Sequence, residues 1–269
     1  MKKTIEIITH ANTFHADELL AIATFTHFIN KDVVHEINVT RMNSVTPYMR
    51  EDPSLYIFDL GGEYNELFGN FDHHQDRNLP ATNILVLDYF CHDIDLANLL
   101  KKHLFQYVSD VDTGKIIARE GADLAGFNSI IRNLNNVENG FQIALDMTKQ
   151  ILAGYIKTAE LAIQMESYYY SLERKFWGKV VIEKNGQFIP NWKELAEKEG
   201  VLLMVSENPR GGWQIVTFNS DFLTIPTSEH QSFRHPNGFL AVYPYFDLAM
   251  EHAKDIVEYY ENSQTSKIS

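Results

Sequence analysis

The chain has 269 residues, of which 45% are hydrophobic and 22% are charged. This is the composition of a folded globular protein, and it excludes disordered and collagen-like chains. At roughly 150 residues per domain, the length favours two domains. The 36 acidic residues outnumber the 23 basic ones, which argues against a protein that holds nucleic acid through a broad basic surface. Metal-centred chemistry stays open, because bound cations reverse the local charge around carboxylates.

Cys91 is the single cysteine. An intramolecular disulfide and a zinc site made of cysteine thiolates are therefore excluded, and any bound metal must be held by His, Asp and Glu. No apolar run reaches the roughly 18 residues that cross a bilayer, and the first residues lead directly into a strand-like segment. We therefore expect a cytoplasmic protein without a membrane partner.

The amino-terminal part alternates short β-rich runs with helical patterns, which is typical of βαβ units on a mostly parallel sheet. Three strands are predicted, at residues 4–8, 33–41 and 54–60, and residues 83–87 are a candidate for a fourth. Two helices are predicted, at residues 17–30 and 92–108. The first helix has acidic residues in its first turn, where the helix dipole favours them.

A long segment without proline divides the rest of the chain. Residues 139–176 predict one long helix or two joined ones. The residues that fall on one face at helical spacing are Ala144, Thr148, Leu152, Tyr155, Ala159 and Ala162. The tail offers three strands and a final amphipathic helix, at residues 201–205, 213–218, 239–243 and 246–260. We therefore expect an α/β fold with a parallel-sheet domain, a long helical connector and a smaller α/β domain, at residues 1–137, 138–177 and 178–269.

Histidines and acidic residues gather where the predicted strands of the first domain end. The turn after the first strand, THANTFHADEL, contains His10, His15 and Asp17. Asp59 closes the apolar run SLYIFDL and is followed by two glycines, which let the backbone leave the strand sharply. Open parallel sheets place their ligand sites at the carboxyl ends of strands. We therefore expect these side chains to converge on one or two cations.

Two further clusters follow along the chain. FDHHQ contains Asp72, His73 and His74. Consecutive side chains of an extended segment point in opposite directions, so we expect one histidine to bind metal and the other to face the substrate. SDVDTG contains Asp110 and Asp112, which can share a face if this stretch is extended or turning. Each histidine taken singly is compatible with an ordinary structural role. The requirements of packing alone are a poor explanation for four separate segments that supply His and Asp in this way.

The strings HANTFHADE, DLGGEY, FDHHQ and VDTG, in this order, resemble the DHH phosphoesterase superfamily and, within it, the MYG family of metal-dependent nucleases. That superfamily also includes RecJ-type exonucleases and manganese-dependent inorganic pyrophosphatases. The later segments PNWKEL, GGWQIVTF and HPNGF are similar to the carboxy-terminal part of the MYG family. The resemblance therefore implies a DHH-type metal-binding catalytic domain at residues 1–137 and a substrate-binding domain at residues 178–269.

Carried over by position, the resemblance implies a set of ligands for two divalent cations. These ligands are His10, His15, Asp17, Asp59, His73 and Asp112. Asp59 would bridge the two cations, His74 would face the scissile phosphate, and Asp72 would orient a neighbouring histidine. Asp112 is preferred to Asp110 because it precedes Thr-Gly, as the family's aspartate precedes its Asn-Gly.

The resemblance also implies substrate contacts at His235 and Gly238, within RHPNGF, and Arg77 is a further candidate phosphate partner. After GF the family tends to show Gly-Gly-His, whereas this chain has Leu240–Tyr243. Side chains there make a close approach of phosphate to the backbone harder. A simple turn before a strand explains His235 and Gly238 equally well.

The implied mechanism is hydrolysis by water that two cations activate. Imidazole and carboxylate ligands without sulfur suit Mn²⁺, with Mg²⁺ or another divalent ion as options. The leading hypothesis is a cytoplasmic exonuclease that acts on short RNA or single-stranded nucleic acid. One alternative is a pyrophosphatase or small-nucleotide phosphatase of the same superfamily, and the other is a non-catalytic metal-binding regulatory protein. The sequence leaves the oligomeric state open, with a homodimer as one option.

Overall fold

The structure of the protein, a computed structural model, describes residues 3–116 and 126–265. The chain divides into two compact units, Met1–Glu160 and Leu161–Ser269, and each unit contains its own sheet. The boundary between the units lies inside one long helix. The roles expected for residues 1–137, 138–177 and 178–269 stay predictions.

The first unit is an α/β structure. In chain order its elements are β1 (Lys3–His10), α1 (Ala16–Phe28), β2 (Val34–Met42), α2 (Pro47–Arg50), β3 (Leu55–Phe58), β4 (Tyr64–Asn65), β5 (Asn70–Phe71), α3 (Thr82–Phe90), α4 (Ile94–Leu100), α5 (Gln106–Asp112), α6 (Phe127–Leu134) and α7 (Gly140–Ser171). A 3-10 turn at Glu66–Phe68 precedes β5, and a π-helical stretch at Lys101–Phe105 joins α4 to α5.

The sheet of the first unit has the strand order β2-β1-β3-β5-β4. All neighbours are parallel except β4, which is antiparallel to β5. Ile7 and Phe58 are fully buried on this sheet, and α1 is buried along most of its length because apolar residues surround its axis. The expected α/β fold with a mostly parallel sheet is confirmed, as are the strands at 4–8, 33–41 and 54–60.

The candidate strand at residues 83–87 is wrong, because Thr82–Phe90 form helix α3. A short apolar run does not distinguish a strand from a buried helix by its pattern alone. Here α3 packs against α1, and its first six residues are all buried. The helix expected at 92–108 is confirmed and continues through the π-helical stretch to Asp112.

The second unit begins within α7 and is a smaller α/β structure. Its further elements are β6 (Glu173–Lys175), β7 (Val180–Glu183), α8 (Trp192–Glu199), β8 (Leu203–Glu207), β9 (Trp213–Thr217), β10 (Phe233–Arg234), β11 (Leu240–Tyr243) and α9 (Phe246–Thr265). The strand order is β10-β11-β9-β8-β7-β6, and β7 and β8 are parallel neighbours. Ala249, Ala253 and Val257 of α9 belong to the same buried cluster as Val205 and Tyr243. The strands and the amphipathic helix expected in the tail are confirmed.

Helix α7 is a single helix of 32 residues, so the predicted long helix is confirmed in its simpler form. Of the six residues that the sequence places on one face, five are buried, whereas Tyr155 is exposed and does not belong to the buried face. Neither α7 nor any other helix in the ranges 3–116 and 126–265 combines the length and the hydrophobicity needed to span a bilayer.

Replacing either of two glycines of α7 by alanine is expected to change the stability of the protein, in opposite directions at the two positions. A Cβ on Gly140 would lie 1.9 Å from the backbone oxygen of Leu134, whereas a Cβ on the exposed Gly154 would meet no atom within 4 Å. We expect Gly140→Ala to lower the free energy of unfolding by about 2 kcal/mol. Gly154→Ala should raise it by about 0.5–1 kcal/mol, because alanine loses less backbone entropy in a helix. Urea unfolding followed by circular dichroism measures both changes, and equal stabilities of the two variants would contradict this packing.

Candidate metal centre

Three strand ends bring the first members of the site together. His10 is the last residue of β1, Asp59 follows β3 directly, and Asp72 and His73 follow β5. Because β1, β3 and β5 are parallel neighbours, their carboxyl ends meet at the same edge of the sheet.

Two helices complete the cluster. α1 begins directly after His15 and presents Asp17 and Glu18 in its first turn, where both residues are fully buried. α5 ends at Asp112, whose Oδ2 lies 3.2 Å from His73 Nε2 and whose Oδ1 lies 4.0 Å from His15 Nδ1. The structure thus brings all six predicted ligands to one place.

Two geometric premises do not hold in this cluster, and the different roles expected of His73 and His74 stay predictions. Asp110 and Asp112 do not share a face, because SDVDTG contains the end of a helix and helical side chains two residues apart diverge by about 200°. Asp110 instead accepts a hydrogen bond from Gln106 Nε2 at 2.9 Å. His73 and His74 do not point in opposite directions either. Their ring centroids lie 4.4 Å apart, with 34° between the ring planes, because the chain turns after β5 instead of continuing as a strand.

Asp59 lies between the histidines of the cluster. Its Oδ2 is 3.3 Å from His10 Nε2, and its Oδ1 is 3.3 Å from His73 Nε2 and 3.6 Å from His74 Nδ1. Each carboxylate oxygen therefore faces a different part of the cluster. The backbone of Asp59 has φ 56°, a left-handed conformation that is uncommon for residues other than glycine. Such strain often marks functional sites, where the surrounding structure holds it.

Several polar atoms of the cluster are buried without a hydrogen-bond partner within the described part of the chain. They are both carboxylate oxygens of Asp17 and Oε1 of Glu18. A buried polar atom is normally paired, and leaving it unpaired costs about 1–3 kcal/mol. Carboxylate oxygens and imidazole nitrogens are ligands for divalent cations such as Mn²⁺. The donor set of this cluster therefore fits bound divalent metal.

The ligand atoms form three overlapping groups, and within each group they lie no more than 4.8 Å apart. The groups are His10, His15, Glu18 and Asp59; Asp59, Asp72, His73 and His74; and His15, Asp17 and Asp112. Asp59 and His15 each belong to two groups. The three groups are therefore joined through these two residues.

Burial and repulsion among the carboxylates raise the pKa of Asp17 and of Glu18. Burial, followed by the charges of Asp59, Asp112 and Glu18, raises the pKa of Asp17 well above its usual value. Burial also raises the pKa of Glu18 to about 7, although the neighbouring His10 opposes this shift. Without a cation, the cluster therefore concentrates more negative charge than a buried site readily accommodates.

The histidines shift in the opposite direction. Burial lowers the pKa of His10, but the close carboxylates of Asp59 and Glu18 outweigh burial and raise the pKa to about 10. In the same way, Asp112 and Asp59 overcome burial and raise the pKa of His73 to about 9. Burial opposes ionisation of Asp59, yet His10 and His73 hold its pKa far below the usual range. Protonated imidazoles thus partly compensate the carboxylates in the absence of metal.

His74 is oriented by Asp72 and remains accessible. Its Nδ1 lies 2.7 Å from Asp72 Oδ1, and its backbone N–H donates to the same oxygen at 3.1 Å. Asp72 is buried and is held in turn by the backbone N–H of Gly62, whereas 63% of the His74 side chain is exposed. His74 lines a pocket of about 370 Å³ together with His10 and Asp59. Because Nδ1 is engaged by Asp72, Nε2 is the nitrogen left for a ligand in this pocket.

Glu18 is the member of the cluster that the sequence analysis missed. Its Oε2 lies 2.9 Å from His10 Nε2 and accepts a hydrogen bond from the His15 backbone N–H at 2.8 Å. Glu18 thus contacts two predicted ligands at once. A glutamate three residues after a helix N-cap is typical of a capping box. His15 is the N-cap of α1, so the string HADE contained this signal.

The remaining candidate residues are Arg77, His235 and Gly238. Arg77 is exposed in the turn that follows His74. His235 and Gly238 belong to the second unit, in the turn between β10 and β11, where the Gly238 N–H donates to the His235 carbonyl at 2.8 Å. Gly238 has φ 69°, and a Cβ there would come within 2.7 Å of the Arg234 guanidinium. The turn alone accounts for this glycine, and the substrate contacts of all three candidates stay predictions.

The comparisons with known proteins include one family model whose match lies in the first unit. Residues 6–83 match the model of the MYG1_exonuc family, described as an uncharacterised protein family (UPF0160). The MYG1 protein of Chlamydia trachomatis serovar D is 31% identical over 139 residues, which are 49% of this chain and 45% of that protein. The MYG1 protein of Chlamydia muridarum is 30% identical over 138 residues, with the same two coverages of 49% and 45%. The chain thus matches about half the length of these curated relatives.

RecJ of Thermus thermophilus, solved in complex with Mg²⁺, aligns with 95% of this chain and 49% of its own chain. The identity is 11% and the TM-score is 0.27, a likeness too low to support any argument about this chain. The family model and the Chlamydia relatives are the informative matches, since residues 6–83 contain every candidate site residue from His10 to Arg77. The resemblance of the amino-terminal part of this chain to the MYG1 family is thereby confirmed.

Proposed function

We propose that this protein is a cytoplasmic, metal-dependent phosphoesterase that removes nucleotides from the end of short RNA or other single-stranded nucleic acid. One observation carries the proposal: the two oxygens of Asp17 are buried without partners among the carboxylates of Asp59, Asp112 and Glu18. A buried group of carboxylates is costly unless cations compensate it. The match to the MYG1 family model over residues 6–83 supports the same chemistry.

We assign the six predicted residues as ligands of two divalent cations and add Glu18 to them. The six predicted residues are His10, His15, Asp17, Asp59, His73 and Asp112. Mn²⁺ is the preferred ion, because the donors mix imidazole with carboxylate and include no sulfur. When bound, such ions lower the pKa of water and neutralise charge on phosphoryl oxygens.

His74 is proposed to act on the substrate. Asp72 holds its Nδ1, so Nε2 can donate a hydrogen bond to a phosphoryl oxygen or a proton to the leaving oxygen. The exposure of His74 beside the buried cluster supports this role, because a substrate can reach the ring without displacing protein.

The size of the pocket and the charge of the protein favour a small, single-stranded substrate. The pocket of about 370 Å³ is near the lower end of the range of small-molecule sites, roughly 300–1,000 Å³. Such a pocket accommodates one nucleotide at a strand end. The net charge of −13 weakens binding of a long duplex, which depends on many phosphate contacts to basic residues.

A second candidate function, a non-catalytic metal-binding regulatory protein, is favoured by the segment Leu240–Tyr243. This segment stands where the resemblance leads one to expect Gly-Gly-His, and it forms β11 in the interior of a sheet. Ala241 and Tyr243 are fully buried, and β11 pairs with β10 on one side and β9 on the other. A strand paired on both sides offers phosphate few free backbone N–H groups.

A substrate panel tests the proposal. Purified full-length protein is incubated with Mn²⁺ or with a chelator, and the substrates are labelled short RNA, single-stranded DNA, duplex DNA and inorganic pyrophosphate. We expect stepwise release of mononucleotides from short single strands, only with Mn²⁺. Hydrolysis of pyrophosphate alone would favour the phosphatase alternative and overturn the nuclease. Stoichiometric metal binding without any hydrolysis would favour the regulatory protein.

A further inference from the structure

The turn that carries two of the proposed ligands is held by side chains outside the metal centre. Residues 11–15 connect β1 to α1, and His10 and His15 stand at the two ends of this connection. Asn12 within it has φ 67°, and 52% of the His15 side chain is exposed. Because the turn is strained and partly exposed, its backbone contacts decide where the two imidazoles lie.

Arg41, on β2, holds the first half of the turn. Its Nε donates to the His10 carbonyl at 3.2 Å, and its Nη2 donates to the Asn12 carbonyl at 2.8 Å. The guanidinium lies 4.5 Å from the centroid of the Phe141 ring and 5.5 Å from that of the Phe14 ring. Ring contacts keep the planar guanidinium in place, and its two hydrogen bonds end on the backbone of the turn.

Asn135, directly after α6, holds the second half of the turn. Its Oδ1 accepts a hydrogen bond from the Phe14 N–H at 2.8 Å, and its Nδ2 donates to the Phe14 carbonyl at 2.9 Å. One side-chain amide therefore satisfies both backbone polar groups of the residue before His15. The His15 N–H is itself bound by Glu18. Arg41 and Asn135 thus act on successive parts of one short segment.

We propose that Arg41 and Asn135 are positioning residues of the metal centre, which set the separation of His10 and His15 and thereby the affinity for divalent cations. The inference rests on the proposed function, because it requires that the cluster binds metal. Neither side chain offers a carboxylate or an imidazole, and the hydrogen bonds that each makes to the turn end on the backbone that carries the ligands. A turn that is already ordered spares the entropy of ordering it when metal binds. Outer contacts of this kind typically change metal affinity 10–100-fold.

Mn²⁺ titration calorimetry on the metal-stripped full chain tests the inference. We expect Asn135→Ala and Arg41→Met to bind Mn²⁺ about 10–100-fold more weakly than the wild type, with unchanged stoichiometry because no ligand is removed. Arg41→Lys keeps the charge but lacks the planar fork, so its affinity should fall between those of Arg41→Met and the wild type. Asn136→Ala is the matched control, since Asn136 is the neighbouring asparagine and is exposed.

The outcomes separate this inference from the proposed function. Folded Asn135→Ala and Arg41→Met proteins with wild-type Mn²⁺ affinity would overturn the positioning role and leave the proposed function intact. A wild-type protein that binds no Mn²⁺ would overturn the proposed function itself. Thermal unfolding of each metal-free variant shows whether that variant is folded. If Asn135→Ala or Arg41→Met does not fold, the Mn²⁺ affinity of Arg41→Lys decides the inference. An equal loss of affinity in Asn136→Ala would indicate a general disturbance of α6 and would also overturn the inference.

Discussion

Replacement of Asp59 by alanine is expected to abolish hydrolysis and to remove one equivalent of bound divalent metal. The two carboxylate oxygens of Asp59 face His10 on one side and His73 and His74 on the other. Its loss therefore affects both parts of the proposed centre at once. Atomic absorption of the purified variant gives the metal content, and release of labelled nucleotides gives the activity.

His74→Ala is expected to behave differently, with wild-type metal content and hydrolysis slowed about 10²–10⁴-fold. This is the usual contribution of a general acid or base. The prediction follows from the position of His74, which is 63% exposed and is held through Nδ1 by Asp72. His92→Ala is the matched control, because His92 is an exposed histidine away from the cluster, and it should leave both readouts unchanged.

Folding of the Asp59 variant needs a control of its own. Asp59 has φ 56°, where alanine costs about 1–2 kcal/mol, whereas asparagine tolerates this conformation. Asp59→Asn should therefore keep the stability of the wild type more closely while still losing metal and activity. Equal losses of metal in the Asp59 and His74 variants would refute the separate roles assigned to the two residues.

Asp17→Asn is expected to stabilise the metal-free protein and to prevent its stabilisation by Mn²⁺. Asp17 is fully buried and is repelled by Asp59, Asp112 and Glu18, so an uncharged side chain of the same shape removes a cost. We expect the free energy of unfolding of the metal-free protein to rise near pH 8. The wild type should gain about 2.7 kcal/mol when free Mn²⁺ is 100 times its dissociation constant, and Asp17→Asn should gain much less.

The difference in stability between the two metal-free proteins depends on pH with a definite sign. Folding raises the pKa of Asp17 above 3.8, its ordinary value, so the folded wild type binds this proton more tightly than the unfolded chain. The wild type therefore loses stability relative to Asp17→Asn as the pH rises above about 3.8, until Asp17 is ionised in both states. Below about 3.8 the difference should vanish, since both states of the wild type are protonated at this position.

Urea unfolding over this pH range, with and without Mn²⁺, measures the effect. Asp146→Asn serves as the control, because Asp146 is an exposed aspartate on a helix and should show little change in either condition. A metal-free Asp17→Asn protein that is less stable than the wild type near pH 8 would contradict the proposed repulsion. An unchanged Mn²⁺ response would remove Asp17 from the set of ligands.

The positions of several clustered side chains could be predicted because they lie next to an element with a clear local pattern. Asp59 ends an apolar run and His10 ends another, and the carboxyl ends of adjacent parallel strands meet wherever the sheet forms. Glu18 was missed although its signal is local, because a glutamate in the first turn of a helix is also typical of an exposed capping residue. Its complete burial depends on the strands that surround α1, and the string HADE does not contain that information.

The sequence by itself determined the α/β class, the order of the ligand-bearing turns and the resemblance that connects them, because hydrophobic periodicity and motif order are properties of neighbouring residues. Only the tertiary structure decided that residues 83–87 form a helix, that Asp112 and not Asp110 reaches His73, and that Asn135 holds Phe14. Each of these depends on contacts between residues far apart in the chain: Asn135 and Phe14 are 121 positions apart. A local pattern is compatible with several such contacts, and packing of the whole unit selects among them.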